Sequence, residues 1–257
     1  MRIAAIQLEV TDAEPPAERV RRTADLVRAQ PGVDLVVLPE LWVPGAFAYT
    51  RWATSAEALD GPTVDTLAVA ARDIGAHVHM GSFIERDGTD LYNTSVLLGP
   101  DGGVQAAYRK IHLFGFGEGE PTLLGAGKDV VVADVGGTAV GLSTCYDLRF
   151  PEMYRALLDA GAEVVLCVAG WPAARIEHWS TLARARAIEN QVVMVALNTA
   201  RTHAGKEMGG RSVVVDARGS VLAEAATTQD VLTVEVDVPD VHTWRTRFPV
   251  LADRRLA

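Results

Sequence analysis

Three side chains far apart in this chain are of types that can do chemistry: the thiol of Cys145, the carboxylate of Glu40 and the ammonium of Lys110. A thiolate is a nucleophile, whereas an acid or a lysine points to function only through the groups around it. Cys145 closes an apolar run and precedes a helical stretch opened by Pro151. The amides and dipole of such a helix would favour a thiolate. That is a nucleophile's position, although a buried free cysteine explains the thiol equally well when it is taken alone. Cys167 lies inside the apolar run Val164 to Ala169 and reads as a small packing residue. Glu40 ends Leu35-Val-Val-Leu-Pro-Glu40, where an acid is either paired or functional. Lys110 follows Tyr108-Arg109 and, by itself, could be an ordinary solvated lysine.

The elements that must position these groups alternate between strand and helix signals, which predicts a layered α/β fold. Arg2 to Leu8 reads as a strand, and Pro15 to Gln30 as a helix with Val20, Ala24 and Val27 on one face. Asp34 to Leu38 reads as a buried strand that delivers Glu40, and His77 to Glu85 as a further strand. Tyr92 to Leu98 and Val104 to Tyr108 form a predicted hairpin around Pro100-Asp-Gly-Gly103, with Lys110 just beyond it. Val131 to Val135 and Thr138 to Thr144 make another strand pair, leading to Cys145 and a helix over Pro151 to Asp159. Glu163 to Ala169 and Val192 to Thr199 are predicted strands flanking a helix over Ile176 to Asn190, and a last hairpin turns at Asp216 to Gly219. Hairpins mixed with strand-helix-strand units imply sheets that are not purely parallel, which disfavours a Rossmann or flavodoxin arrangement.

The whole chain bounds the partners. Its 257 residues read as one domain over residues 1–257, with 49% hydrophobic and 22% charged residues, the balance of a soluble globular protein. A net charge of −9 provides no basic field for nucleic acid or anionic lipid, and an anionic substrate would need a local arginine. Two cysteines fit a reducing compartment, and no leader or membrane-spanning run is visible, so cytoplasm is the expected location. No cofactor and no metal is expected.

At Pro39-Glu40, Tyr108-Arg-Lys-Ile-His-Leu113 and Cys145-Tyr-Asp-Leu-Arg-Phe-Pro-Glu152 the chain resembles the nitrilase, or carbon-nitrogen hydrolase, superfamily. Glu118-Gly-Glu120 with Leu124 and Gly127 is similar to the segment that carries a second glutamate there, and the spacing favours Glu120. Ala185 to Gln191, Ser212 to Asp216 and Phe248 to Arg255 extend the likeness over nearly the whole chain. The resemblance implies a four-layer α-β-β-α sandwich, a dimer built through helices, and a thioester mechanism. In that mechanism Cys145 is nucleophile and Glu40 the base, Lys110 and the Tyr146 amide hold the oxyanion, and Glu120 orients Lys110 and substrate. It also implies small primary amides as substrates.

Trp171-Pro-Ala-Ala-Arg-Ile-Glu-His-Trp179 looks like a stretch of the omega-amidase-like branch, whose members deamidate ω-amides of dicarboxylic acids such as α-ketoglutaramate. An arginine would hold the distal carboxylate, with Arg175 the first candidate, Arg201 the second and Trp171 beside them. Arg149 reads as structural, paired with Asp147 or another acid, and Arg184 and Arg186 as helix decoration. The aromatic stretch Trp42 to Tyr49 would make a loop over the site or simply a packed surface loop. Thr202-His-Ala-Gly-Lys-Glu207 departs from the branch pattern and keeps deaminated glutathione, aliphatic amides, N-carbamoyl compounds and nitriles open as substrates. Other classes fit less well. A Cys-His peptidase would use His112, a zinc hydrolase His77 and His79, and a two-carboxylate glycosidase Glu40 and Glu120. A non-catalytic scaffold would not need Glu40, Lys110 and Cys145 together.

Overall fold

The computed structural model describes residues 1–256. In chain order the first half contains β1 (Arg2–Gln7), α1 (Pro16–Arg28), β2 (Leu35–Val37), α2 (Tyr49–Trp52), α3 (Pro62–Ile74), β3 (His77–Asp87), β4 (Asp90–Leu98) and β5 (Val104–Arg109). Then come α4 (Glu120–Leu123), β6 (Val132–Val135), β7 (Thr138–Thr144), a 3₁₀ turn over Cys145–Arg149, α5 (Pro151–Asp159), β8 (Val164–Ala169), α6 (Ile176–Asn190) and β9 (Val193–Asn198). The chain closes with the hairpin β10 (Ala200–His203) and β11 (Lys206–Gly209), then β12 (Val213–Val215), β13 (Val221–Glu224), β14 (Asp230–Glu235) and α7 (Val238–Arg247).

Two six-stranded sheets carry the site. One runs β14-β1-β2-β3-β4-β5 and the other β13-β12-β9-β8-β7-β6. Both are mixed: β1, β2 and β3 are parallel, as are β7, β8 and β9, while the outer pairs are antiparallel. Alternation along the strands separates the layers. Ile3, Ala5, Leu35 and Val37 face the second sheet, in one core with Leu142, Leu166 and Val195. Ala4, Ile6, Val36 and Leu38 face outward, onto Ala24 and Val27 of α1 and Leu67 and Ala71 of α3. On the far side α5 and α6 cover the second sheet through Tyr154, Leu157, Ala183 and Ala187. The layers are α-β-β-α, as the resemblance implies. Among the described residues no helix is long and apolar enough to cross a membrane.

The core also holds a titratable group. His79, fully buried on β3, has no hydrogen-bond partner for either ring nitrogen among the described residues. Burial pulls its pKa from 6.5 down to about 4. The folded chain therefore refuses a proton that the unfolded chain accepts below pH 6.5. Stability falls as pH drops from about 6.5 to 4, then levels off. His79→Phe keeps a ring without the nitrogens. It is expected to shrink the difference in unfolding free energy between pH 7 and pH 4 by about 3 kcal/mol. Urea titrations at the two pH values check this, and an unchanged difference would contradict it.

Candidate active site

Glu40, Lys110 and Cys145 each follow the end of a strand, whereas Glu120 begins a short helix. Glu40 follows β2 through Leu38 and Pro39, and the approach is tight. Gly81 of β3 has φ +69°, and a Cβ there would stand 1.9 Å from the Pro39 carbonyl oxygen. Only glycine fits this crossing. Leu41, the next residue after the acid, is held at φ 42°, with its amide donating to Ser82 Oγ at 3.1 Å. Lys110 follows β5, and its amide donates to the Asn93 carbonyl of β4 at 2.9 Å. Glu120 opens α4 and turns inward.

The charged groups converge. Lys110 Nζ lies 2.8 Å from Glu40 Oε1, and 2.9 Å and 2.8 Å from the two Glu120 oxygens, with all three side chains almost wholly buried. Glu120, not Glu118, is the inward acid: Glu118 is exposed. Asn93 donates from one amide nitrogen to Glu40 Oε1 and to Glu120 Oε1, each at 2.9 Å. Backbone amides complete the set, Gly170 donating to Glu40 Oε2 at 2.8 Å and Phe114 to Glu120 Oε2 at 2.6 Å. Two carboxylates thus share one ammonium, and the remaining negative charge is met by neutral donors. Desolvation alone would lower the Lys110 pKa, but the Glu120 and Glu40 charges outweigh it and hold the pKa well above the usual lysine range. Burial, reinforced by the Glu40 charge, raises that of Glu120 against the pull of Lys110.

Cys145 opens the 3₁₀ turn with φ 49°, an uncommon backbone state for a residue with a side chain. Its turn is locked from below. Asp147, fully buried, accepts from the Thr144 amide at 2.8 Å, the Tyr108 hydroxyl at 2.6 Å, and the His112 amide at 3.0 Å, with the His112 ring 2.8 Å away. One carboxylate therefore ties the nucleophile turn to the strap that carries Lys110. Arg186 of α6 holds the other end, donating to the Leu148 carbonyl from Nε at 3.1 Å and Nη2 at 2.9 Å. It is buried, so the expectation of a surface helix decoration is corrected. The expected thiolate preference is also corrected. Burial first, then the Glu40 charge, push the Cys145 thiol well above its usual range despite Lys110.

Cys145 opens into a narrow cleft walled by Phe47, Phe114, Tyr146, Trp171 and Pro172. Arg149 and Arg175 also line it. The Arg175 guanidinium lies 5.5 Å from the Phe114 ring centre, and that of Arg149 lies 4.8 Å from the Trp171 ring centre. Among the described residues neither has a carboxylate partner. This corrects the pairing of Arg149 with Asp147, whose oxygens are already taken. Arg201 falls elsewhere. It is largely exposed on β10, with Nε 2.9 Å from Glu9 Oε1, because the chain leaves the second sheet before reaching it. Of the aromatic stretch after Glu40, Phe47 lines the cleft. Trp42 is buried in the opposite core beneath α1 and α3, donating to the Met80 carbonyl at 2.9 Å. His112 stacks on Phe150 at 3.8 Å and does not line the cleft, which removes the geometry of a Cys-His pair. A larger, open depression beside Pro16, Val43 and Pro62 contains no cysteine and lies against the helices rather than between the sheets.

Asn93 was not a predicted site residue. Its signal lay in Asn93-Thr-Ser95, three consecutive polar residues that are all fully buried in β4. Replacing it by leucine leaves two buried carboxylates short of a donor. Asn93→Leu is expected to cost about 2 kcal/mol or more of stability and at least roughly tenfold in kcat. Urea unfolding and steady-state kinetics on the folded variant check this, and wild-type values for both would contradict it.

Residues 2–246 match the family described as Carbon-nitrogen hydrolase. The chain is 42% identical to a 2-oxoglutaramate amidase of Paenarthrobacter nicotinovorans, covering 98% of this chain and 89% of that one. Among solved structures, a CN-hydrolase superfamily protein from Xanthomonas campestris, with an arsenic adduct in its active site, superposes with a TM-score of 0.92 at 32% identity, covering 100% of this chain and 98% of the other. A mutant of the amidase from Nesterenkonia sp. AN1, with acrylamide added at its active-site cysteine, gives a TM-score of 0.84 at 28% identity, covering 98% and 99%. With one buried thiol, one shared ammonium and two acids between its sheets, the chain belongs to the carbon-nitrogen hydrolase family, as a cysteine-dependent amidohydrolase of linear amides.

Proposed function

We propose that the protein is an omega-amidase, hydrolysing the terminal amide of short dicarboxylic monoamides such as α-ketoglutaramate to the dicarboxylate and ammonia. The observation that carries this reading is the pair of carboxylate-free guanidiniums, Arg149 and Arg175, in an otherwise aromatic cleft that opens on Cys145. An anionic substrate tail supplies the charge they lack. The similarity to a 2-oxoglutaramate amidase supports the same substrate class.

The reaction follows from the proton inventory. Cys145 Sγ attacks the amide carbon while Glu40 takes the thiol proton. The oxyanion is met by Lys110 Nζ and by the amide of Tyr146, the second residue of the 3₁₀ turn, where backbone donors have no helical acceptor. Glu40 returns the proton to the leaving nitrogen, ammonia departs, and an acyl thioester remains on Cys145. Glu40 then deprotonates water, which attacks the thioester, and the thiol is regenerated. Glu120 and Asn93 keep Lys110 aimed throughout. In Glu40→Gln the amide has no proton capacity, so both half-reactions lose their base.

Arg175→Ala and Arg149→Ala are each expected to raise KM for α-ketoglutaramate by roughly 10- to 100-fold, the worth of a charge-assisted hydrogen bond. KM for an uncharged aliphatic amide should move less than about twofold. Ammonia-release kinetics on both substrates check this. Equal losses on the uncharged amide, or none on α-ketoglutaramate, would remove the arginines from recognition.

A homodimer packed through helices is supported by the exposed apolar side chains Ile188 on α6, Val221 and Leu222 on β13, and Phe248 and Val250 after α7. A cytoplasmic location is supported by the two free cysteines, Cys145 and Cys167.

A further inference from the structure

Between Glu40 and the cleft wall the chain makes a short excursion, and its anchor comes from a hairpin more than 150 residues away. His203, at the end of β10, is buried to 1% exposure. Its Nε2 accepts a hydrogen bond from the Ala46 amide at 3.1 Å. Gly45 makes room for the ring: its φ is +94°, and a Cβ there would stand 2.9 Å from His203 Cδ2. On the other side Ala46 seats against Gly170, where an added Cβ would lie 2.4 Å from the Ala46 Cβ. Gly170 is the residue whose amide serves Glu40 Oε2. Phe47, next in the chain, lines the cleft and meets Phe114 edge-on at 6.2 Å.

We propose that His203 is a positioning residue for substrate selection: by holding Ala46 it places Phe47, and so sets the width of the cleft in which the substrate tail lies. This assigns work to the β10–β11 hairpin, the stretch whose sequence departs from the branch pattern. The hairpin is itself tied down, with the Ala204 amide donating to Asp12 Oδ2 at 2.8 Å and Arg201 ion-paired to Glu9. His203 therefore transmits a fixed position. Burial, and then the Arg19 charge, keep its pKa near 4, which leaves the Nε2 lone pair available at neutral pH. The inference rests on the Cys145 cleft being the amide site.

His203→Phe keeps the ring and loses the acceptor, whereas His203→Gln retains a side-chain acceptor. His203→Phe is expected to raise KM for α-ketoglutaramate about tenfold, with kcat per titratable Cys145 thiol changed less than about twofold. His203→Gln should recover most of the loss. Gly45→Ala presses on the same contact from the opposite side and should raise KM in the same direction, which keeps the test alive if His203→Phe fails to fold. In a Phe47→Ala background neither change should add further to KM. A folded His203→Phe or Gly45→Ala enzyme with wild-type KM overturns the proposal, as does a KM shift that persists without Phe47. Absence of turnover by the wild type would instead sink the amidase reading on which it rests.

Discussion

Cys145→Ala is expected to release no measurable ammonia from any amide, a loss of roughly 10⁴- to 10⁶-fold in kcat, while unfolding within about 1 kcal/mol of wild type. The activity loss follows because no other thiol reaches the cleft: Cys167 is fully buried inside β8. The stability estimate follows from the same geometry. The substitution removes one sulfur from the mouth of a cleft, and alanine also accepts the space that φ 49° demands no better or worse than cysteine. Glu40→Gln should lose a comparable factor for a different reason, since the nucleophile remains but the proton has nowhere to go. Alkylation separates the two. Iodoacetamide should still label Cys145 in Glu40→Gln and leave Cys145→Ala unlabelled there, and retained turnover in either variant would refute the assignment.

Lys110→Ala should damage the fold as well as the reaction. The same substitution read from the sequence alone removes an ammonium from an intact scaffold. In the structure it abandons Glu40 and Glu120, both buried and both bonded to the same Asn93 amide nitrogen, with no cation between them. Leaving buried charge uncompensated costs about 3 to 5 kcal/mol. Repulsion and burial would raise the carboxylate pKa values in the folded variant above their unfolded values. The penalty is therefore full at alkaline pH and fades as pH falls and both states bind the proton. Urea unfolding should show a larger deficit against wild type at pH 8 than at pH 5. Glu120→Gln in the same background should restore much of the stability without restoring turnover. A deficit independent of pH would mean that the ammonium does not balance these acids.

Residues at strand ends were the most legible part of the site. Glu40, Lys110 and Cys145 each follow an apolar run, and the run's burial forces what comes next into the space between the sheets. The alternation of strand and helix segments likewise indicated a layered α/β fold, and the family resemblance its four layers. The Pro62–Ile74 helix carries its own signals, a proline at its start and Gly75 at φ +64° after its end, yet its alanine-rich face is weaker than the stripe of α1. The pairing of β14 with β1 joins residues more than 220 apart, and nothing local encodes it. Arginine partners were the least legible. Spacing puts Arg149 two residues from Asp147, but four donors from the β4–β5 side and the turn itself reach that carboxylate first. Arg186 looks like helix surface until the nucleophile turn is folded against it. The thiol's ionisation was misread for a related reason: the dipole argument is local, whereas burial and Glu40 arrive through tertiary structure.

The central claim is that an acyl group passes from a small amide onto Cys145 and then to water. Rapid-quench mass spectrometry of the wild type with α-ketoglutaramate, following the Cys145 peptide and released ammonia in the same samples, tests it most directly. The account predicts a thioester on Cys145 that forms as ammonia appears and decays as the dicarboxylate accumulates. Ammonia released at full rate with Cys145 unmodified at every time point, or an acyl group found on Glu40 instead, would contradict it.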